Sequence, residues 1–292
     1  MSHIMLEIEI PDDYQEWLIA ELDELEFEGF DQRRNTLIAW VPQASMNDVT
    51  RETIEQLLIG IGHGACILKE ERVEDRNWNE EWEQTIQPMT VGQFRIRPSW
   101  AARNPDTEDD PERIVLEIDP KMSFGTGYHE TTRIMLRLMP EVFRMWADRN
   151  GGGTPDSVLD AGTGTGILGI AALKLGAGHC FGFDVDEWSA LNTRENVLMN
   201  GVEGRFEVQQ GDDSVIPEKA TYDLVMANIN RNILEDMSEK LAASLKPGGV
   251  LMLSGLLYTD EALILNYGAY ARFRKVGFQQ EGDWIGLVLV QD

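Results

Sequence analysis

The chain has 292 residues, 42% of them hydrophobic, and a formal net charge of −26 from 51 acidic and 25 basic side chains. That length suits one large domain or a medium domain with a small companion, and that charge argues against direct nucleic-acid binding, which needs a basic surface. With no apolar run long enough for a membrane span, no secretory pattern in the opening MSHIMLEIEIPDD, and Cys66 and Cys180 outside any metal-ligand spacing, the expectation is a cytoplasmic protein without metal, holding two buried, reduced thiols.

Leu6–Ile10 alternates as a half-buried strand, and Asp12–Leu25 reads as an acidic amphipathic helix. Thr36–Val41 is a strand, Asn47–Leu58 a helix capped by Asn47 or Ser45, and Ala65–Lys69 a third strand. This βαβα pattern predicts a small α+β domain over residues 1–71. The charged stretch 71–85 sets Trp78 and Trp82 four apart on one helical face. Residues 72–90 are therefore read as a linker helix that docks both indoles on a neighbour. Strands follow at 94–100 and 113–119, flanking a polar loop at 101–112.

From Pro155 the chain alternates between the two periodicities. Strands fit at 157–161, 179–185, 205–210, 222–228, 249–255 and 284–290, and helices at 166–176, 187–200, 230–245 and 260–276. This predicts an α/β domain over 91–292 with a mainly parallel sheet, which binds ligands at the carboxyl ends of its strands.

The segment 158-VLDAGTGTGILGIAALKLGA-177 carries the strongest signal. Gly162, Gly164 and Gly166 mark a tight turn between the first strand and its helix, where backbone comes close to a ligand. Such turns serve dinucleotides and S-adenosylmethionine alike. The G-x-G-x-G spacing and Asp160 just before it favour S-adenosylmethionine over a pyrophosphate. Asp184, at the end of the second strand, suits a pair of ribose hydroxyls. Asp212 or Asp213, after the third, suits an adenine edge, and Asn228, ending the fourth, faces the reacting centre.

With these four strand ends in order, residues 157–255 resemble a class I S-adenosylmethionine-dependent methyltransferase, a Rossmann-like fold with a seven-stranded sheet. The segment 117-EIDPKMSFGTGYHETTR-133 is similar to the D-P-x-M-x-F-G-T-G-x-H-x-T-T motif of the PrmA family, bacterial enzymes that methylate the eleventh large-subunit ribosomal protein. Residues 77–100, 196-NVLMNGV-202 and 282–290 match that family as well. The likeness runs from about residue 72 to the end, and over the small domain only the pattern agrees. It implies that the small domain recognises the substrate, a basic ribosomal protein, and that Thr132, Gly162, Asp184 and Asn228 contact S-adenosylmethionine, with Thr131 beside Thr132. It also places Phe124, Gly125, Thr126 and Gly127 against the methionine end of the cofactor. Tyr128, Glu130 and Asn230 depart from the pattern, where the family more often has Thr, Pro and an apolar residue.

The resemblance thus implies N-methylation of lysine or N-terminal amines by an enzyme expected to be a monomer. Another protein or a small-molecule acceptor is the alternative, and a NAD-binding module is a third reading, opposed by the glycine spacing, Asp160 and Asn228. A lysine amine is charged at neutral pH, so the site must favour its neutral form. The Asn228 carbonyl is the catalytic candidate, orienting that amine by a hydrogen bond. His129 is open to three roles: a base, a contact to the cofactor's carboxylate, or a structural histidine pinning the loop. His63 reads as a turn residue, and Trp188 and Trp284 as core.

Overall fold

Alternating apolar residues build the first of two units, Met1–Trp78 and Asn79–Asp292, in the computed structural model. The structure describes residues 3–62, 64–73, 86–101, 113–121, 123–217 and 219–291. The first unit runs β1 (His3–Glu9), α1 (Asp12–Asp23), β2 (Gly29–Arg33), β3 (Thr36–Pro42), α2 (Asp48–Ile61) and β4 (Cys66–Val73). Its strands lie in the order β2-β3-β1-β4 with every neighbour antiparallel, a split βαβ arrangement. Leu6 and Ile8 of β1 and Leu37, Ala39 and Val41 of β3 share one core with Leu18 and Leu22 of α1 and Ile54 and Leu58 of α2. Asn47 caps α2, accepting the Thr50 N–H at 3.1 Å. Strand β2 is absent from the sequence reading because its Asp31 and Arg33 mask the alternation; they pair with each other at 2.9 Å.

Two expectations need correction here. Cys66 is exposed, and only Cys180 is buried. The expected helix over 72–90 also fails at both ends, since β4 reaches Val73 and a strand begins at Met89. Trp78, Trp82, His63, Met122 and the loop 102–112 lie outside the described residues.

The second unit opens with β5 (Met89–Val91), β6 (Phe94–Arg97) and β7 (Ile114–Glu117), a three-stranded sheet in that order. Then comes α3 (Glu130–Arg149), to which the sequence reading assigns no helix. Pro140 sits inside it and removes one ladder hydrogen bond, yet Ile134, Met135, Leu138, Met139, Val142 and Phe143 make a continuous buried face that outweighs the break. The main body runs β8 (Ser157–Ala161), α4 (Ile167–Lys174), β9 (His179–Asp184), α5 (Glu187–Met199), β10 (Phe206–Gln210), β11 (Tyr222–Asn228), α6 (Arg231–Ser244) and β12 (Leu245–Leu257). It ends with a short α7 (Glu261–Leu265), β13 (Phe273–Glu281) and β14 (Trp284–Gln291). Expected helix 260–276 therefore shrinks to one turn, and its tail joins β13.

The sheet order is β10-β9-β8-β11-β12-β14-β13. The first five strands are parallel, and β14 pairs antiparallel with both β12 and β13. Each central strand is apolar on both faces, as a sheet covered by helices on both sides requires. Val158, Leu224, Met226, Val250 and Met252 share a core with α3 and α4. Their neighbours Leu159, Val225, Ala227, Leu251 and Leu253 share another with Leu234 and Leu241 of α6.

The amino ends of β8, β11 and β12 are tied by one polar cluster. Asp223 Oδ2 accepts the Ser157 N–H and hydroxyl, each at 2.9 Å, and Lys246 Nζ reaches Asp223 Oδ1 at 3.0 Å and Ser157 Oγ at 2.9 Å. Burial works to raise the Asp223 pKa, but these partners outweigh it and hold the carboxyl below its ordinary value.

Candidate active site

The opposite, carboxyl ends of the strands enclose a cleft of about 620 Å³, where this topology concentrates ligand sites. Its floor is the turn between β8 and α4. Gly164 has φ +56°, and a Cβ there would stand 2.3 Å from the Phe124 carbonyl oxygen. A Cβ at Gly162 would meet Ile229 Cγ2 at 2.5 Å. The turn is stitched to the 124–127 loop: Thr165 donates its N–H to Phe124 O at 2.9 Å and its hydroxyl to Gly125 O at 2.7 Å.

Helix α5 supports that loop from behind. Asn196 and Asn200, both in the family-like 196–202 element, bond both backbone groups of Asp119 and Glu117, respectively, at 2.7–3.2 Å. Asparagines one turn apart thus act as a backbone strip that fixes the end of β7 and Asp119 just beyond it.

Asp184 stands at the end of β9. Its Oδ2 accepts the Gly164 N–H at 3.0 Å and its Oδ1 the Asp186 N–H at 3.1 Å. Each oxygen keeps a lone pair for a hydroxyl. Past β10, both Asp212 and Asp213 line the cleft. Hydrogen bonds from Ser214 hold the Asp212 carboxyl below its ordinary value, and Asp213 pairs with Lys240 at 2.7 Å. Asn228 ends β11. Its Nδ2 donates to Thr132 Oγ1 at 3.4 Å, and its buried Oδ1 has no partner.

The structure therefore gathers Phe124, Thr131, Gly162, Gly164, Asp184, Asp212 and Asn228 around one cleft. Gly125, Thr126, Gly127, Thr132, Asp160 and Gly166 sit behind it. Thr132 is fully buried and reaches the cleft only through Asn228. Thr126 Oγ1 accepts the Tyr128 N–H, and a Cβ at Gly127 would fall 2.6 Å from Ile96. Gly166 packs on Thr193 of α5. Asp160 is buried, and its Oδ2 accepts the Thr163 hydroxyl at 2.8 Å and the Gly169 N–H at 3.0 Å. Burial pushes its carboxyl up to about 7, against those two hydrogen bonds, and the Asp184 charge adds to the rise. Asp160 thus braces the turn from within.

The three departures each have a local role. The Tyr128 hydroxyl donates to Gln87 O at 2.8 Å and accepts its N–H at 2.6 Å. Glu130 pairs with Arg133 at 3.1 Å. Asn230 caps α6 by accepting the Ile233 N–H at 3.2 Å, and of the three only it lines the cleft.

A family model described as ribosomal protein L11 methyltransferase (PrmA) matches residues 6–292. The chain belongs to the PrmA family. A ribosomal protein L11 methyltransferase of Chlorobaculum parvum is 35% identical over 292 residues, 99% of this chain and 96% of its own. One of Bacteroides fragilis is 34% identical over 276 residues, 94% of this chain and 92% of its own. Among solved structures, the ribosomal protein L11 methylase of Lactobacillus delbrueckii subsp. bulgaricus superposes with TM-score 0.59 at 27% identity, covering 70% of this chain and 99% of that one. The class I methyltransferase fold, with its antiparallel β14 inserted beside β12, agrees with that membership.

In this PrmA member several lining residues escape a reading by strand ends. Ile229, Ile233 and Met237 form an apolar wall, and Gly255 lets β12 approach, since a Cβ there would stand 2.2 Å from Ile229 O. Trp284, read as core, lines the cleft. Trp188, also read as core, is 68% exposed on α5.

Proposed function

We propose that the protein transfers methyl groups from S-adenosylmethionine to lysine or N-terminal amines of a large-subunit ribosomal protein, in the cytoplasm. Membership of the PrmA family supports the substrate class, and the net charge of −26 favours encounter with a basic protein. No described helix is long and apolar enough to cross a membrane.

The cleft fits the cofactor by its donors, acceptors and room. Asp184 offers carboxylate lone pairs to ribose hydroxyls, Asp212 an acceptor for an amino group, and the glycine turn a bare backbone that a side chain would fill. Bound there, S-adenosylmethionine supplies an electrophilic methyl group on a positive sulfonium. The chain's part is orientation and exclusion of water. Ile229, Ile233 and Met237 present an apolar wall, which disfavours a charged ammonium and so favours the neutral amine. Asn228 Oδ1 accepts one amine N–H and thereby turns the nitrogen lone pair toward the reacting carbon. Thr132 steadies that amide through Nδ2. The rate gain comes mainly from alignment, and no strong base is required.

The observation that carries this reading is the place of Asn228 on the cleft lining with a buried amide oxygen that no protein group satisfies, since an unpaired buried acceptor is costly. The test is radiolabelled methyl transfer to purified ribosomal proteins, beside calorimetric titration with S-adenosylhomocysteine. Asn228→Ala is expected to lower kcat on the order of 100-fold while S-adenosylhomocysteine still binds. Unchanged transfer by the variant removes Asn228 from the mechanism. Binding without transfer to any ribosomal protein removes the proposed acceptor.

A further inference from the structure

His129 lines the cleft and has no part in the mechanism above. It is the cap of α3: Nδ1 takes the Thr131 N–H at 3.3 Å and lies 2.9 Å from Thr131 Oγ1. A backbone N–H only donates, so Nδ1 carries a lone pair, and a neutral imidazole then keeps its proton on Nε2. Glu130 Oε2, 3.9 Å from Nδ1, is beyond hydrogen-bond range and its carboxylate is engaged by Arg133. The ring is wedged between Phe124 at 5.2 Å and Trp284 at 4.9 Å. Among the described residues Nε2 has no hydrogen-bond partner. The tautomer is thus set by the helix cap, and the free edge of the ring is a donor.

Position along the cleft says what such a donor meets. Asp184 and Asp212 follow β9 and β10 on one side of β8, while Asn228 of β11 and Trp284 of β14 lie on the other. Ribose and adenine toward the first side leave the amino-acid end of the cofactor toward His129. We propose that the Nε2–H of His129 binds the α-carboxylate at that end, an inference that rests on the cofactor reading above. The same geometry denies His129 the role of base. Its Nδ1 lone pair is spent on the cap, and its Nε2 already bears a proton. An amine that accepted this N–H would also tie up the lone pair it needs for attack.

The test uses calorimetric binding, with two ligands that differ only in the carboxylate: S-adenosylhomocysteine and its decarboxylated analogue, which keeps the ammonium. His129→Asn retains a good capping side chain and removes the donor. The variant is expected to bind S-adenosylhomocysteine about tenfold or more weakly than the unsubstituted protein, with the decarboxylated ligand unchanged. Equal weakening of both ligands, or of neither, overturns the assignment. Nitrogen-15 spectra of the unsubstituted protein give an independent check: the proton is expected on Nε2, and a proton on Nδ1 overturns the proposal whether or not the variant folds. The pH profile of methyl transfer is expected to keep its shape in the variant, and loss of a limb would make His129 the base instead. If the unsubstituted protein binds neither ligand, the cofactor reading itself fails and this inference falls with it.

Discussion

Replacing Gly164 by alanine probes the turn between β8 and α4 where it is tightest. At φ +56° an L-residue pays about 1–2 kcal/mol for the left-handed conformation alone. The new Cβ would also stand 2.3 Å from the Phe124 carbonyl oxygen and 3.2 Å from its carbon, backbone atoms that no rotamer change can move. Phe124 must retreat, which breaks the 2.9 Å bond from the Thr165 N–H, worth about 1 kcal/mol net. The total is about 2–3 kcal/mol, equivalent to roughly 30- to 150-fold in an equilibrium constant. Strain relieved by movement of the loop is read as lost affinity, and strain retained is read as lost stability. S-adenosylhomocysteine titration and urea unfolding together capture both. Gly153→Ala is the control: its φ is +85° and a Cβ there meets nothing within 4 Å, so it carries the conformational cost without the clash. If Gly164→Ala loses no more than Gly153→Ala in affinity and stability combined, the close approach of the two loops is not what the glycine serves.

Two further outcomes follow from burial. The Asp160 carboxyl is raised by burial from 3.8 to about 7, so the folded protein holds a proton that the unfolded chain has already lost. Its stabilising contribution is present in acid and is lost as pH rises between about 4 and 7, at up to about 1.4 kcal/mol per pH unit. Urea unfolding from pH 5 to 7 should therefore show wild type losing stability relative to Asp160→Asn, and a pH-independent difference would refute the raised pKa. Trp188→Ser should change stability by no more than about 0.5 kcal/mol, as at an exposed position, whereas a loss of about 3 kcal/mol would place the indole in a core.

What the sequence revealed depended on how local the physics was. The turn at 162–166 was legible because glycine at those positions answers a backbone need, and Asp184 and Asn228 because strand ends in an α/β sheet are where ligands sit. Asp160 misled for the same reason: a carboxylate beside a binding turn reads as a ligand contact, while its real neighbours, Thr163 and Gly169, lie on its inner side. Helix α3 was hidden by Pro140, and β13 by a helical-looking lead from Glu261 that stops after one turn. The two tryptophans differed because exposure is a tertiary property. Trp284 lies on the strand inserted between β12 and β13 and meets the cleft, whereas Trp188 starts a helix whose outer face nothing described covers.

The two ends of β8 are built from unlike materials. One end is clamped by Asp223, Ser157 and Lys246, and the other dissolves into bare backbone whose carbonyls and N–H groups are shared with a neighbouring loop. A substitution or a ligand at the carboxyl end therefore meets none of the Asp223, Ser157 and Lys246 bonds directly. The cleft end can vary in sequence without touching the bonds that tie the amino ends of β8, β11 and β12 together.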